Sequence, residues 1–326
     1  MQIRRHVLAA LAALAAVATA APGHAQSWPQ RPVKLIIPYA AGGNADTVAR
    51  IIAQALGDAL GQPFVPENRP GATGAIAADS VARAPADGYT LFLAPLPQIA
   101  MVPVLNKTAY DPVKSFAPIS MVGTNPFVLT VHPGLPVRTL ADFISYAKSQ
   151  PDKVNYAAVG VGGLTHLSMA LFANRAGIDL MPVMYRGGGT APISDLIAGH
   201  VPAYFTSLSD VVPHMASGAV RPLAVSSEQR APQAPNIPTF IESGFPGFKI
   251  INWVGLMAPA GTPKEIVDLI ARETARAVKD SKVAERLAAN GVDAFSNTPE
   301  QFAAQIAIDI AVWAEAIKIA GLQGSQ

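Results

Sequence analysis

Four times in this chain an apolar or strand-like run ends in a glycine-containing turn, and each turn leads into a helical pattern. Val33 to Pro38 precedes the turn Pro38–Asp46, and Pro63 to Glu67 precedes Asn68–Gly74. Val154 to Val159 precedes Gly160–His166, and Val183 to Tyr185 precedes Arg186–Ala191. The helix from about Ala45 carries Val48, Ile51, Ile52, Ala55, Leu56, Ala59 and Leu60 at helical spacing, until Gly61 and Pro63 stop it. Strand, tight turn and amphipathic helix in alternation is the grammar of a parallel sheet covered by helices. All-β and all-helical architectures are excluded by it.

The alternation changes character near residues 125–131. Phe127 to Val131 reads as a strand flanked by Pro126 and Pro133, and a second series starts there. Its helix from Leu140 has Thr139 as cap, and strands follow at Pro202–Phe205, Pro222–Ser226 and Asn252–Ala258. The last 65 residues read as two helices, one opened by Thr262, Pro263 and Glu265 and the other by Thr298, Pro299 and Gln301, each a capping box. The first series is too small to cover both faces of its sheet, so the C-terminal helices are expected to return to it. The expected fold is α/β and two-lobed, each lobe a mainly parallel sheet flanked by helices. Residues 27–124 and 251–326 form a discontinuous first domain and residues 125–250 a second. Crossovers near Asn125 and Trp253 act as the hinge.

Residues 1–25 stand apart. Arg4 and Arg5 precede the small-apolar run Val7–Ala21, and Gly23 and Ala25 place small side chains before a cleavage point, the order of a secretory signal. The run is shorter than the roughly 20 residues of a spanning helix. Export to the periplasm is the expectation. Without that segment the chain carries 22 Lys plus Arg against 22 Asp plus Glu and has no basic stripe, which argues against nucleic acid. Cysteine is absent, so thiol chemistry, disulfides and thiolate metal sites are excluded. His132, His166, His200 and His214 show no metal-ligand spacing, and no metal or cofactor is expected. Neither GxSxG nor GxxxxGK[ST] occurs, so nothing points to an enzyme.

All four turns fall at the C-terminal ends of expected parallel strands, where open α/β sheets bind ligands. Backbone N–H groups at helix starts attract anions, and glycine exposes them. Each turn also has a bland reading as a plain strand–helix connection. Asp46 reads as a first-turn residue steadying the helix dipole, Arg69 as a solvated charge, and His166 as a backbone or water partner. Thr165 reads as a helix cap and hydroxyl donor, and Asp195 either as a contact for a ligand ammonium or hydroxyl or as a local cap. The segment Gly160–Thr165 is a partial dinucleotide fingerprint. Its third glycine position is Thr165, and the next strand ends in Tyr185–Arg186 rather than an acid. A nucleotide-binding protein or periplasmic enzyme is the alternative it leaves open. Three or four hydrogen bonds to a carboxylate, each worth roughly 1.5–3 kcal/mol and offset by about 4 kcal/mol or more of lost freedom, give micromolar binding without a cationic clamp.

The block RPVKLIIPYAAGGNADTVARIIAQALGDALGQPFVPENRPGATGAIAADSVARAPADGYTLFLA resembles the opening of the solute-binding receptors of tripartite tricarboxylate transporters, the Bug receptors. The resemblance continues through YAAVGVGGLTHLSMALF, YRGGGTAPISDLIAGHV, VRPLAVSS and GLMAPAGTP. It implies a monomeric periplasmic receptor that closes on a small carboxylate solute and hands it to integral membrane transporter subunits, or else feeds a sensor. It implies a first-lobe carboxylate site at Tyr39, Ala41, Gly42, Gly43, Gly71, Ala72 and Gly74, and a second-lobe site at Gly162, Gly163, Thr165 and Asp195. Two departures add candidates. Pro97 and Gln98 stand where the family more often has small residues, and Thr206–Ser207 where an acid is frequent. A stiffer, more apolar floor and a lost acid predict a ligand with an apolar or aromatic body and a carboxylate, rather than an amino acid.

Overall fold

The computed structural model describes residues 28–150, 154–186 and 189–323. The proposed signal segment lies outside these. Strand β1 (Val33–Ile37) leads into helix α1 (Asn44–Leu60), whose buried stripe includes Val48, Ile51, Ile52 and Leu56. Gly61 ends that helix in the left-handed region at φ 72°, its N–H returning to the Gly57 carbonyl. Then come β2 (Phe64–Asn68), a single 3₁₀ turn at Ala72–Gly74, α2 (Ala75–Ala82) and β3 (Thr90–Pro95). A widened helical turn at Pro97–Met101 runs into α3 (Val102–Leu105).

Strand β4 (Phe116–Val131) is 16 residues long and belongs to both lobes. Beyond it lie α4 (Leu140–Ser149), β5 (Asn155–Val159), α5 (Leu164–Ala176), β6 (Met181–Tyr185) and α6 (Thr190–Ala198). Next are β7 (Ala203–Ser207), α7 (Leu208–Met215) and β8 (Arg221–Val225). The chain returns through β9 (Ile251–Pro259) to α8 (Lys264–Ala277), α9 (Ser281–Ala288), β10 (Asp293–Ala294) and α10 (Pro299–Ile319).

The strand order is β2-β1-β3-β9-β4-β7-β5-β6, with β8 and β10 also on β4. β1 pairs in parallel with β2 and β3, and β5 with β6 and β7. Every pairing of β4 and β9 is antiparallel, so each lobe is mixed rather than purely parallel. Residues 116–126 of β4 pair with β9 in one sheet, and residues 127–131 pair with β7 and β8 in the other. The two crossovers are neighbours: Asn125 lies opposite Asn252, and Thr124 opposite Trp253. Ser226 Oγ ties the junction, accepting from Phe127 N–H at 2.9 Å and donating to the Ile250 carbonyl.

Three expectations are corrected. The C-terminal region holds three helices, because Asp280 caps a separate one by accepting from the Lys282 and Val283 amides. Thr262 forms no capping box, since its hydroxyl donates to the Pro259 carbonyl at 2.8 Å and Pro263 occupies the cap. The box at Thr298–Gln301 does form, and the expected cap Thr139 forms one with Asp142. Lastly, α10 does not serve one lobe alone. Its buried Ile306, Trp313 and Ile317 share a core with Phe172 of α5, so the helix spans the junction.

Candidate functional site

A cavity of about 480 Å³ opens between the sheets. Tyr39, Gly43, Asn44, Ala45 and Pro97 line it from the first sheet's side, and Leu164, Ser207, Ser209 and Asp210 from the second. Thr124, Asn125, Asn252 and Trp253 of the crossovers lie between. A second cavity of about 340 Å³ shares Pro97 and Leu164 with it and adds Thr73, Gly162 and Gly163. Among the described residues no lysine or arginine lines either.

The donor supply differs from the sequence expectation. Several of the glycine amides read as open are used inside the protein. Gly42 N–H donates to Asp46 Oδ2 at 2.9 Å, and Gly162 N–H to His166 Nδ1 at 3.1 Å. Gly74 N–H donates to the Gly71 carbonyl and Gly163 N–H to the Gly160 carbonyl. What stays open is the start of α1, where Gly43 is the cap, no side chain closes the turn, and Gly43, Asn44 and Ala45 face the cavity. The start of α5 behind Gly163 likewise has no side-chain cap. Thr165 is not its cap: the hydroxyl accepts from Val159 N–H at 2.7 Å and is drawn back to the strand. A Cβ on Gly163 would sit 2.2 Å from the Val159 carbonyl oxygen, so the chain's own turn requires a glycine at this position.

Asp46 does more than steady a dipole. Its buried carboxylate accepts from Gly42 N–H, from Arg50 at 3.0 and 3.1 Å, and from Asn68 Nδ2 at 3.0 Å, so one side chain ties the first turn to the second. The Arg50 hydrogen bond, opposed by burial, holds its pKa down at about 2. Gln98 is buried and both ends of its amide are committed. Oε1 accepts from the Tyr39 hydroxyl at 3.1 Å, and Nε2 donates to the Thr73 carbonyl at 2.9 Å. It positions the two turns rather than facing the cavity. The Thr73 turn is strained: Ala72 and Thr73 have φ of 44° and 53°, a region L-residues rarely adopt.

Of the remaining candidates, Ala41 is exposed, and neither it nor Gly71, Ala72, Thr206 or Asp195 lines either of these two cavities. Asp195 is engaged elsewhere, accepting from the Tyr185 hydroxyl at 2.6 Å and pairing with His200 at 3.2 Å. Those two hydrogen bonds lower its pKa. His166 is buried, stacked on Tyr156, and burial lowers its pKa, as a structural neutral histidine requires. The acid thought lost at 206–207 reappears four residues on. Asp210, in the first turn of α7, faces the cavity while Thr206 Oγ1 donates to its Oδ2 at 2.9 Å. The family's frequent acid falls at the strand end, whereas here Asp210 lies one helical turn beyond it, so the strand-end pattern alone does not reveal it.

Residues 48–322 match the family described as tripartite tricarboxylate transporter family receptor. Protein BugT of Bordetella pertussis is 36% identical over 310 residues, covering 94% of this chain and 95% of that protein. The structure of R. palustris Rpa4515 with adipate has a TM-score of 0.74 at 35% identity, covering 90% of this chain and 99% of that one. MatC from Rhodopseudomonas palustris with bound malate has a TM-score of 0.70 at 33% identity, covering 89% and 100%. With a profile that covers most of its length, the chain belongs to the tripartite tricarboxylate transporter receptors, a family of periplasmic solute-binding proteins.

Proposed function

We propose that this receptor captures a small organic carboxylate in the inter-lobe cleft and delivers it to a tripartite tricarboxylate-type membrane transporter. The uncapped start of α1 carries the reading. It presents unpaired amides and the positive end of a 17-residue helix to a cavity shared by both lobes. The adipate and malate bound by the two solved relatives are carboxylates as well. The apolar walls supplied by Val48, Pro95, Pro97 and Leu164 suit a short carbon skeleton. The ligand enters a monomer, with domain boundaries near 124/125 and 250/251. The passage of β4 from one sheet to the other after Pro126, and the start of β9 at Ile251, support those limits. No helix among the described residues is long and apolar enough to cross a membrane.

The test is native mass spectrometry of freshly purified protein, followed by thermal-shift measurements with organic acids. A co-purified acid, or stabilisation growing as RT ln(1 + [L]/Kd) without turnover, supports the reading. Conversion of the compound, or indifference to every carboxylate, defeats it.

A further inference from the structure

Asp210 is an acid in a cleft otherwise suited to an anion. Among the described residues it is the one ionisable carboxylate lining the 480 Å³ cavity, and no lysine or arginine lines that cavity with it. Its only hydrogen bond among the described residues comes from the Thr206 hydroxyl to Oδ2. Among the described residues no ion pair includes it. Burial pushes its pKa up against that hydrogen bond, the behaviour of a carboxylate short of a counter-charge. Gly189 lies close to it: a Cβ built there would lie 3.3 Å from Oδ2, so the start of α6 approaches the carboxylate without a side chain between them. A second acceptor is idle nearby. Asn252 Oδ1 is buried without a partner on a residue lining the same cavity. One wall of the cleft thus offers donors at the start of α1, while Asp210 on the second side and Asn252 on the crossover between them carry acceptors.

We infer that Asp210 makes this cleft selective for a carboxylate that also bears an amine, the carboxylate meeting the start of α1 and the ammonium meeting Asp210 and Asn252. The inference rests on the cleft binding a carboxylate at all. A second carboxylate would meet an acid with no cation beside it and would bind only with proton uptake. A hydroxyl would satisfy the hydrogen bond but leave the half-buried charge uncompensated. An ammonium does both: it compensates Asp210 while the start of α1 meets the carboxylate, and the zwitterion adds no net charge to the cleft. This reverses the sequence expectation of a ligand other than an amino acid, because that expectation assumed the acid was missing.

Isothermal titration at pH 7.5 decides it with length-matched sets. These are 4-aminobutanoate, 4-hydroxybutanoate and butanedioate, together with L-glutamate, 2-hydroxyglutarate and glutarate. At least one amino carboxylate is expected to bind about tenfold or more tighter than its amine-free counterparts, and Asp210→Asn is expected to erase that preference while retaining carboxylate binding. Asp210→Ser gives the same reading should the Asn variant not fold, and the wild-type sets stand without either. A wild-type preference for the amine-free acids, or a preference for the amine that survives both substitutions, overturns the inference and leaves carboxylate capture intact. Absence of binding by every acid in the sets overturns both.

Discussion

The indole N–H of Trp253 donates to the Asp309 carboxylate at 2.7 Å, joining the second crossover to the last helix. Trp253 also borders the 480 Å³ inter-sheet cavity and packs edge-on against Phe302, ring centroids 5.0 Å apart. Gln305 adds a bond to the other oxygen at 3.0 Å. The contact lies on the same residues that a hinge movement would have to carry.

Asp309 makes stability fall as pH rises through the weakly acidic range. Burial, only partly offset by the Trp253 and Gln305 bonds, lifts its pKa to about 6. The unfolded carboxyl ionises near pH 4, so between about pH 4 and 6 the folded state holds more protons. Its stabilising contribution is complete below the unfolded pKa and is lost as pH rises through the folded one, by on the order of 2–3 kcal/mol. Urea denaturation of wild type and Asp309→Asn at pH 4, 5, 6 and 7.5 measures this. The variant should lack that loss and gain on wild type at pH 7.5. Parallel profiles would refute the assignment.

Gln98 is expected to affect binding without touching ligand. Truncation in Gln98→Ala frees the Tyr39 hydroxyl and the Thr73 carbonyl. The cost should be about 1–3 kcal/mol of stability, together with weaker capture of whichever acid co-purifies, because both turns lose their common anchor. Tyr39→Phe removes one of the two bonds and should fall between. A Gln98→Ala protein with wild-type affinity would show that the turns hold their places unaided.

The alternation of strands and helices was legible because helical spacing in α1 and the capping residues Thr139 and Thr298 are local signals. β4 was read only from Phe127. Pro118, Ser120 and Gly123 break its apolar pattern, and its register shifts twice beside them. The role of α10 was not legible in full. A single apolar stripe does not say whether it covers one lobe or two. The glycine turns lie at strand ends as the sequence pattern indicates, but the fate of their amides is not in that pattern. Whether Gly42 or Gly162 N–H is free depends on Asp46 and His166, each four residues on and folded back against it. Asp210 enters by a similar i,i+4 relation to Thr206.

Two glycines in the third turn separate packing from backbone strain. Gly160 has φ 71° with open space where a Cβ would go, so Gly160→Ala should cost about 1–2 kcal/mol of left-handed strain. Gly163 has an ordinary φ of −73° but no room, the Val159 carbonyl oxygen lying 2.2 Å from the Cβ position. Gly163→Ala must displace backbone at the start of α5, and should cost more, roughly 3 kcal/mol, and lower ligand affinity as well. Equal losses in chemical denaturation would mean that the turn relaxes freely and that its shape is not held by contact.

Asp46 gives stability with the opposite pH sign. Its folded pKa of about 2 lies below the model-peptide value. Its contribution is therefore complete above about pH 4 and disappears as pH falls toward 2. Asp46→Asn keeps one acceptor but loses the charge that holds Arg50, while Gly42 and Asn68 compete for what remains. A loss of about 1–2 kcal/mol at pH 7 is expected, together with a shallower acid transition. The binding outcome sets geometry against charge. Removing an anion beside a carboxylate site should tighten binding if Asp46 acts through its field, and weaken it if Asp46 acts by fixing the Gly42 turn. Because Arg50 sits directly on the carboxylate and cancels much of that field, weaker binding is expected. Tighter binding in titration calorimetry would reverse the assignment.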